Sequence, residues 1–142
     1  MQYDRILVPT DGSDCANRGV DRAIDLAERF DATVHALYVV DKGERPGDWD
    51  ILVERQEAAG EAALDEAGER GAAVEIDVKK HLRRGYPAKE ILSFVADNDI
   101  DVIVMGTAGR SGIDRLRHAG STTERVIRRT SVPVFAVPPE RE

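Results

Sequence analysis

Apolar runs alternate with amphipathic segments along this 142-residue chain, and the alternation constrains its fold more than any other feature. Five short runs rich in β-branched and other apolar residues predict strands, at residues 5–10, 33–40, 73–81, 100–105 and 132–137. The segments between them predict helices, which we expect at residues 14–30, 49–70, 87–97 and 122–129. Strict alternation (β-α-β-α-β-α-β-α-β) predicts an α/β fold, a single doubly wound sheet of five parallel strands with helices on both faces.

Single residues mark several of the expected boundaries. Ser13 is suited to the N-cap of the first helix, and Pro87 to the first position of the third helix. Gly71 is expected just beyond the end of the second helix, because glycine readily adopts the left-handed conformation found there. The third strand alternates apolar and polar residues, which predicts an inward face made of Val74, Ile76 and Val78.

Length and composition limit the kinds of protein this chain can be. A chain of 142 residues predicts one domain, spanning residues 1–142, and no apolar run approaches the roughly 18 residues of a membrane span. A net charge of −7 argues against binding to nucleic acid or to anionic membranes. Cys15 is the single cysteine, and the start of the chain lacks the layout of a signal peptide, so we expect a cytoplasmic protein.

The fourth strand runs directly into a glycine-rich segment, which predicts an anion site. Gly106, Gly109 and Gly112 are spaced three apart, and Gly120-Ser121 then precedes the last helix. Glycines let backbone N–H groups approach a ligand closely, and a helix N-terminus adds unpaired N–H donors, as in a phosphate cradle. Six arginines and only two acidic residues occupy this segment and the last helix, which favours an anionic ligand. The alternative is a plain turn, with arginines that complement the helix dipole.

Doubly wound sheets bind ligands at the carboxyl ends of their strands, where the strand order reverses. The first strand ends in Pro9-Thr10-Asp11 and the fourth at Gly106, and we expect these two ends to flank that crevice. Asp11 could serve there as a hydrogen-bond acceptor for a ligand, a loop-capping residue, a general base or a Mg²⁺ ligand. Since no second carboxylate is predicted beside it, catalysis is the weaker interpretation, and we assign no catalytic residue.

Several common site motifs are absent from the sequence. There is no G-x-x-x-x-G-K-[ST] P-loop, no G-x-G-x-x-G after the first strand and no G-x-S-x-G elbow. These absences argue against Walker-type NTPases, dinucleotide-binding enzymes and the common hydrolases. The three histidines, His35, His81 and His118, are far apart in the chain, so we expect no metal site.

Five segments, taken together and in order, resemble the universal stress protein family. They are residues 6–13 (ILVPTDGS), 37–41 (LYVVD), 101–106 (DVIVMG), 132–137 (VPVFAV) and the glycine-rich segment with the start of the last helix, residues 106–126. The resemblance extends over the whole chain and implies the ATP-binding type of the family, whose members carry G-x2-G-x9-G-[ST]. This chain departs from that pattern, because ten residues instead of nine separate Gly109 from Gly120.

The resemblance implies an ATP site, with or without Mg²⁺. The ends of the first two strands would line an adenosine pocket, where Asp11 would accept a hydrogen bond from the ribose or the adenine. The glycines would present N–H groups to the phosphates, Arg110 would add positive charge, and Ser121 and Thr122 would bind the terminal phosphates. Thr123 would share that role or face outward. The full implied set is Pro9, Thr10, Asp11, Val39, Gly106, Thr107, Gly109, Arg110, Ser111, Gly112, Gly120, Ser121, Thr122 and Thr123.

The same resemblance implies a cytoplasmic homodimer that acts as a nucleotide-responsive stress or signalling module, a binding protein more than an enzyme. The last strand, residues 132–137, is apolar at nearly every position and is expected at an edge of the sheet, where it would pair with a second copy. Two alternatives stay open. One is a slow ATPase or self-phosphorylating enzyme that uses the same pocket, and the other is a scaffold that has lost nucleotide binding through the longer loop.

Overall fold

A computed structural model describes residues 3–41, 49–108 and 122–140. Its strands are β1 (Arg5–Pro9), β2 (Thr33–Asp41), β3 (Val78–Gly85), β4 (Val102–Gly106) and β5 (Val134–Val137). Its helices are α1 (Asp14–Phe30), α2 (Trp49–Ala72), α3 (Pro87–Asp97) and α4 (Thr122–Arg129). The part of the glycine-rich segment from Gly109 to Ser121 lies outside the described residues.

The five described strands form one parallel sheet in the order β3-β2-β1-β4-β5. β1 occupies its centre, where Ile6 is opposite Val34 of β2 on one side and Val102 of β4 on the other. The chain builds the sheet outward from β1 to β3 and then returns to place β4 on the other side of β1. The predicted α/β fold is therefore confirmed, and so is the predicted reversal of strand order between β1 and β4.

Helices cover both faces of the sheet, since the core divides into two clusters of buried side chains. One cluster contains Ile6 and Val8 of β1 together with residues of α1 and α2. The other contains Leu7 of β1 together with residues of α3 and α4. These three β1 side chains have 0% exposure, because β1 is covered on both faces.

The predicted starts of α1 and α3 are confirmed. Ser13 caps α1, and its Oγ accepts a hydrogen bond from the Ala16 N–H at 3.1 Å. Pro87 lies in the first turn of α3, where its missing N–H is not needed.

Among the residues that the structure describes, no helix combines the length and the apolar character that crossing a membrane requires.

The prediction for the third strand is wrong over its first half. β3 begins at Val78, and the residues before it form the turn that follows α2, in which the N–H groups of Val74 and Ile76 donate to the Gly71 carbonyl at 3.0 and 2.9 Å. Val74, predicted to point inward, is 46% exposed. The apolar alternation lies mostly outside the strand, whose own sequence, VKKHLRRG, is largely charged. Charged residues are favoured there because β3 is an edge strand.

Gly71 lies inside the last turn of α2 instead of beyond it, because the helix continues to Ala72. A Cβ on Gly71 would be 2.6 Å from the Ile76 carbonyl oxygen and 2.5 Å from the Val78 Cγ2. The position thus requires glycine for the close approach of the returning chain. The predicted reason, a left-handed residue that ends the helix, is wrong.

We expect Gly71→Ala to destabilise the protein by about 1–3 kcal/mol, because the added methyl group overlaps backbone that cannot easily move away. Gly68→Ala in the same helix is the matched control. Its Cβ would meet only the end of the flexible Lys80 side chain, and alanine favours a helix over glycine by about 1 kcal/mol. Urea unfolding of both variants measures the difference, and equal stabilities would contradict this explanation of Gly71.

Candidate functional site

A cleft opens at the carboxyl edge of the sheet, where the strand order reverses. It is open to solvent, and its empty volume of about 550 Å³ includes part of that open space. The described residues that line it come from the ends of β1, β2 and β4 and from the first turns of α1, α3 and α4 or just beside them. They are Pro9, Thr10, Asp11, Ala16, Leu37, Val39, Pro87, Ile91, Met105, Gly106, Ala108, Thr122 and Thr123.

The turn between β1 and α1 is held by hydrogen bonds of its own side chains. Thr10 is buried; its N–H donates to the Leu37 carbonyl at 2.9 Å, and its Oγ1 accepts from the Gly12 N–H at 3.1 Å. Asp11 Oδ1 accepts from the Ser13 N–H at 3.0 Å, and Gly12 has a φ of 82°, a conformation that favours glycine. These bonds hold Asp11 at the edge of the cleft, next to the N-terminus of α1.

Gly106, at the end of β4, is required by packing. A Cβ at this position would lie 2.9 Å from the Cys15 carbonyl oxygen and 3.0 Å from the Cys15 Sγ, so α1 could not approach β4 as it does. The Cys15 thiol in turn donates to the Val137 carbonyl at 3.3 Å. The sequence predicted that Gly106 contacts an anion. In the structure, the close packing of α1 against β4 requires glycine at this position even without a ligand.

A side-chain hydrogen bond joins the start of α4 to the end of β4. Thr123 Oγ1 donates to the Gly106 carbonyl at 3.1 Å, and both Thr122 and Thr123 line the cleft. Of the two roles considered for Thr123, facing outward is therefore wrong. Its hydroxyl points toward the sheet and holds the first turn of α4 beside the cleft.

The structure brings seven of the fourteen predicted site residues together around the cleft: Pro9, Thr10, Asp11, Val39, Gly106, Thr122 and Thr123. Thr107 is not part of this lining; its N–H donates to the Val137 carbonyl at 2.9 Å and extends the pairing of β4 with β5. The other six lie outside the described residues: Gly109, Arg110, Ser111, Gly112, Gly120 and Ser121.

Sequence reasoning missed six residues of the lining: Ala16, Leu37, Pro87, Ile91, Met105 and Ala108. Two of them belong to α3, which was not expected to form a wall of the cleft. A signal was present, because helices that follow parallel strands begin at the carboxyl edge of the sheet, and Pro87 marks such a beginning. The others are small or apolar side chains with nothing in their sequence context that distinguishes them from core residues.

Two histidines that are far apart in the chain meet beneath α3. Nδ1 of His35 on β2 lies 3.0 Å from Nε2 of His81 on β3. Burial is the largest cause that lowers the pKa of both rings, and neighbouring positive charge lowers it further. His118 lies outside the described residues, and within the described ones no group of three or more His, Cys, Asp or Glu side chains could hold a metal ion.

We expect Thr123→Val to lower the free energy of unfolding by about 1 kcal/mol, because the isosteric side chain leaves the Gly106 carbonyl without this donor. Thr123→Ser keeps the hydroxyl and is the matched control. Thermal unfolding followed by circular dichroism compares the two. If the valine variant is as stable as the serine variant, this hydrogen bond does not hold α4 in place.

Known proteins are similar to this chain over nearly its whole length. A family model described as the universal stress protein family matches residues 2–138. Universal stress protein MJ0531 of Methanocaldococcus jannaschii is 36% identical over 140 residues, which cover 95% of this chain and 82% of that protein. The solved structure of universal stress protein UspA from Lactobacillus plantarum has a TM-score of 0.87 at 28% identity, covering 96% of this chain and 99% of that chain.

Two further solved structures are similar and contain nucleotides. A universal stress protein in complex with cAMP has a TM-score of 0.78 at 27% identity, covering 96% of this chain and 98% of that chain. The universal stress protein from Archaeoglobus fulgidus in complex with dAMP has a TM-score of 0.67 at 25% identity, covering 96% of this chain and 99% of that chain. Sequence, fold and family model agree, and this protein belongs to the universal stress protein family.

Proposed function

We propose that this protein binds ATP in the cleft between β1 and β4 and acts as a dimeric, nucleotide-responsive stress protein. The observation that carries the proposal is the cleft itself, because it lies at the reversal of strand order and collects seven of the eight described residues of the implied ATP site. The related proteins solved with cAMP and with dAMP support an adenine nucleotide, since both of those ligands contain adenine.

The cleft offers apolar surface for a base. Leu37, Val39, Ile91 and Met105 contribute this surface from β2, α3 and β4. Specific small-molecule sites combine such surface with a few placed polar groups, which fix the orientation of the ligand. In this cleft Asp11 would accept a hydrogen bond from a ribose hydroxyl or from the adenine amino group.

The first turn of α4 suits the phosphates. Helix N-termini present unpaired N–H groups and a favourable dipole to anions. Because the Thr123 hydroxyl donates to the Gly106 carbonyl, we assign the phosphate contact to Thr122, which also lines the cleft. Calorimetry with and without Mg²⁺ tests whether this cation binds together with the phosphates.

We expect Asp11→Asn to weaken ATP binding by about tenfold or more, because the carboxylate is the stronger hydrogen-bond acceptor. The asparagine keeps an oxygen that can accept from the Ser13 N–H, so the turn is preserved. Asp14→Asn is the matched control, since it removes the same charge from the exposed side of the same helix start. Isothermal titration calorimetry with ATP measures both affinities.

Equal weakening in the two variants would assign the effect to net charge and not to a contact of Asp11.

Wild-type protein that neither carries nucleotide by mass spectrometry nor binds added ATP would be a scaffold, as considered for the longer loop between Gly109 and Gly120. A slow ATPase or self-phosphorylating enzyme would instead release phosphate or become labelled in a single turnover. Asp11 is the single carboxylate among the described residues of the cleft, and it already accepts a hydrogen bond from Ser13, which favours binding over catalysis.

We also propose that two copies associate through β5, because the two edges of the sheet differ in chemistry. The β3 edge carries Lys79, Lys80, Arg83 and Arg84. The β5 edge presents Phe135, which is 42% exposed, and the exposed Ala136. Charged edge strands resist pairing with another sheet, whereas an unpaired apolar edge invites it.

The hydrogen bonds between β5 and β4 show which backbone groups of β5 are left at the open edge. The N–H groups of Ile103 and Thr107 donate to the carbonyls of Pro133 and Val137, both at 2.9 Å. Backbone groups alternate in direction along a strand. Those of Val134 and Ala136 therefore point away from β4, to the open edge.

We expect Ala136→Pro to give a folded monomer, because proline removes an N–H from the open edge and leaves the pairing with β4 intact. Ala136→Ser keeps the N–H and should stay dimeric. Light scattering on the eluting protein measures the mass, and circular dichroism verifies the fold. A monomeric wild type at micromolar concentration contradicts the dimer, and a folded proline variant that is still dimeric places the interface elsewhere.

We place this function in the cytoplasm and in a single domain spanning residues 1–142. A free, buried thiol at Cys15 suits a reducing compartment. The net charge of −7 gives no support for partners among nucleic acids or anionic membranes.

A further inference from the structure

The histidine pair, His35 and His81, lies between the sheet and α3, and the proposed function makes no use of it. His35 is 8% exposed, and the two rings are stacked with their centroids 5.2 Å apart. Phe94 of α3 packs at a steep angle against both rings, with its centroid 4.7 Å from that of His81 and 5.9 Å from that of His35. α3 thus packs directly on the pair.

The hydrogen bond within the pair depends on protonation. At 3.0 Å, one of the facing nitrogens donates and the other accepts, which two neutral rings can satisfy. A first added proton places a positive charge in a partly buried position, where burial disfavours it. A second added proton leaves hydrogens on both facing nitrogens, so the bond is lost.

Positive charge approaches the pair from two strands. Lys79 of β3 lowers the pKa of both rings. For His35, the neighbouring His81 lowers the pKa more than Lys79 does, and Arg5 of β1 adds a smaller effect. For His81, Arg83 of β3 has a larger effect than Lys79. In each case burial is the larger cause.

α3 contributes two carboxylates to this region, and both are paired with an arginine. Arg83 lies 3.9 Å from a Glu90 carboxylate oxygen and 3.3 Å from an Asp97 carboxylate oxygen. Its guanidinium also lies over the Phe94 ring, 5.0 Å from the centroid. The acidic groups of α3 therefore balance Arg83, and the surroundings of the histidines favour their neutral form.

α3 connects the pair to the cleft. Phe94 lies one helical turn after Ile91, and Ile91 and Pro87 form the α3 side of the cleft. On β2, Leu37 follows His35 by two residues, so it shares the same face of the sheet, and it also lines the cleft. A loss of packing between Phe94 and the rings would therefore displace one wall of the cleft.

We propose that the histidine pair is a proton-sensitive packing contact for α3. Neutral rings hold the helix against the sheet, and protonation in mild acid releases the helix and opens the cleft on that side. The release of α3 is a property of the chain alone. The consequence that ATP binds more weakly in acid rests on the proposed function.

The direction of the pH dependence follows from the lowered pKa values. Both folded-state values lie below 6.5, the ordinary value for histidine, so the unfolded or released state takes up protons first as the pH falls. The stability that the neutral pair contributes is present above that pH and is lost below it. Each unit of difference in pKa corresponds to a tenfold change in the equilibrium between the two states.

Hydrogen exchange of α3 amides without ligand, followed by mass spectrometry, tests the release. After correction for intrinsic exchange rates, we expect the protection of α3 to fall by about tenfold between about pH 7.5 and about pH 5.5. The protection of α1, on the other face of the sheet, should change much less. Unchanged protection of α3 in acid would overturn the proposal.

Two lysine variants on β3 provide a matched pair that leaves the core intact. Lys79→Gln removes a cation that lowers the pKa of both histidines, so their folded-state pKa values rise toward the ordinary value, and the loss of α3 protection in acid should become smaller and move to lower pH. Lys80→Gln removes the same charge on the opposite face, where the side chain pairs with Asp65, and should leave the transition in place. An equal transition in the wild type and both variants would overturn the proposal.

Two further measurements separate the proposal from its rivals. If added EDTA changes the protection of α3 at neutral pH, a metal ion and not a proton controls the pair, which would overturn the proposal. Calorimetry with ATP at the two pH values should give weaker binding in acid, and equal affinity would overturn the link to the cleft. Absence of ATP binding at both pH values would overturn the proposed function, while the exchange experiment still tests the release of α3 in acid.

Discussion

Parallel pairing of β1 on both of its edges is the interaction on which the rest of the structure depends. Leu7 is opposite His35 of β2 on one edge and Ile103 of β4 on the other. Because crossovers between parallel strands are right-handed, growth of the sheet in two directions from β1 places the connecting helices on opposite faces. α1 and α2 therefore cover one face and α3 and α4 the other, and the chain connections diverge at the carboxyl edge, where the cleft opens.

The two sides of the cleft are held by different kinds of contact. α1 lies against β4 at a distance that only glycine at position 106 permits, and it is linked to α2 by Arg70, whose guanidinium is 2.9 Å from Asp21. α3 instead rests on two titratable rings. Asp11 belongs to the α1 side, whereas α4 packs on the same face as α3 and supplies the hydroxyls of Thr122 and Thr123. A shift of α3 would thus alter the apolar wall formed by Pro87 and Ile91 and leave Asp11 in place.

Sequence reasoning succeeded where burial dictates residue type and failed where pairing partners decide it. The runs through Leu7 and Ile103 could be predicted as strands because both faces of each are buried. β3 was misplaced because an edge strand pairs on one side only and tolerates charge, so its pattern resembles that of a surface segment. The contact of His35 with His81 depends on the register between β2 and β3, and no local pattern reveals a register. The reason for Gly106 depends in the same way on where α1 crosses β4.

The lysine and arginine side chains of β3 affect the protonation of the histidine pair, and they also affect which edge of the sheet can form a dimer. Lys80 and Arg84 point to the α2 side, where they pair with Asp65 and Glu57, while Lys79 and Arg83 face α3 and keep positive charge near the histidines. The same cations discourage pairing at this edge, which leaves β5 as the apolar edge of the described sheet. In a dimer joined at β5, the histidine pairs of the two copies would lie near the outer ends of the combined sheet. Protonation there would act on each cleft without passing through the interface, so acid would change the affinity of each subunit and leave the dimer intact.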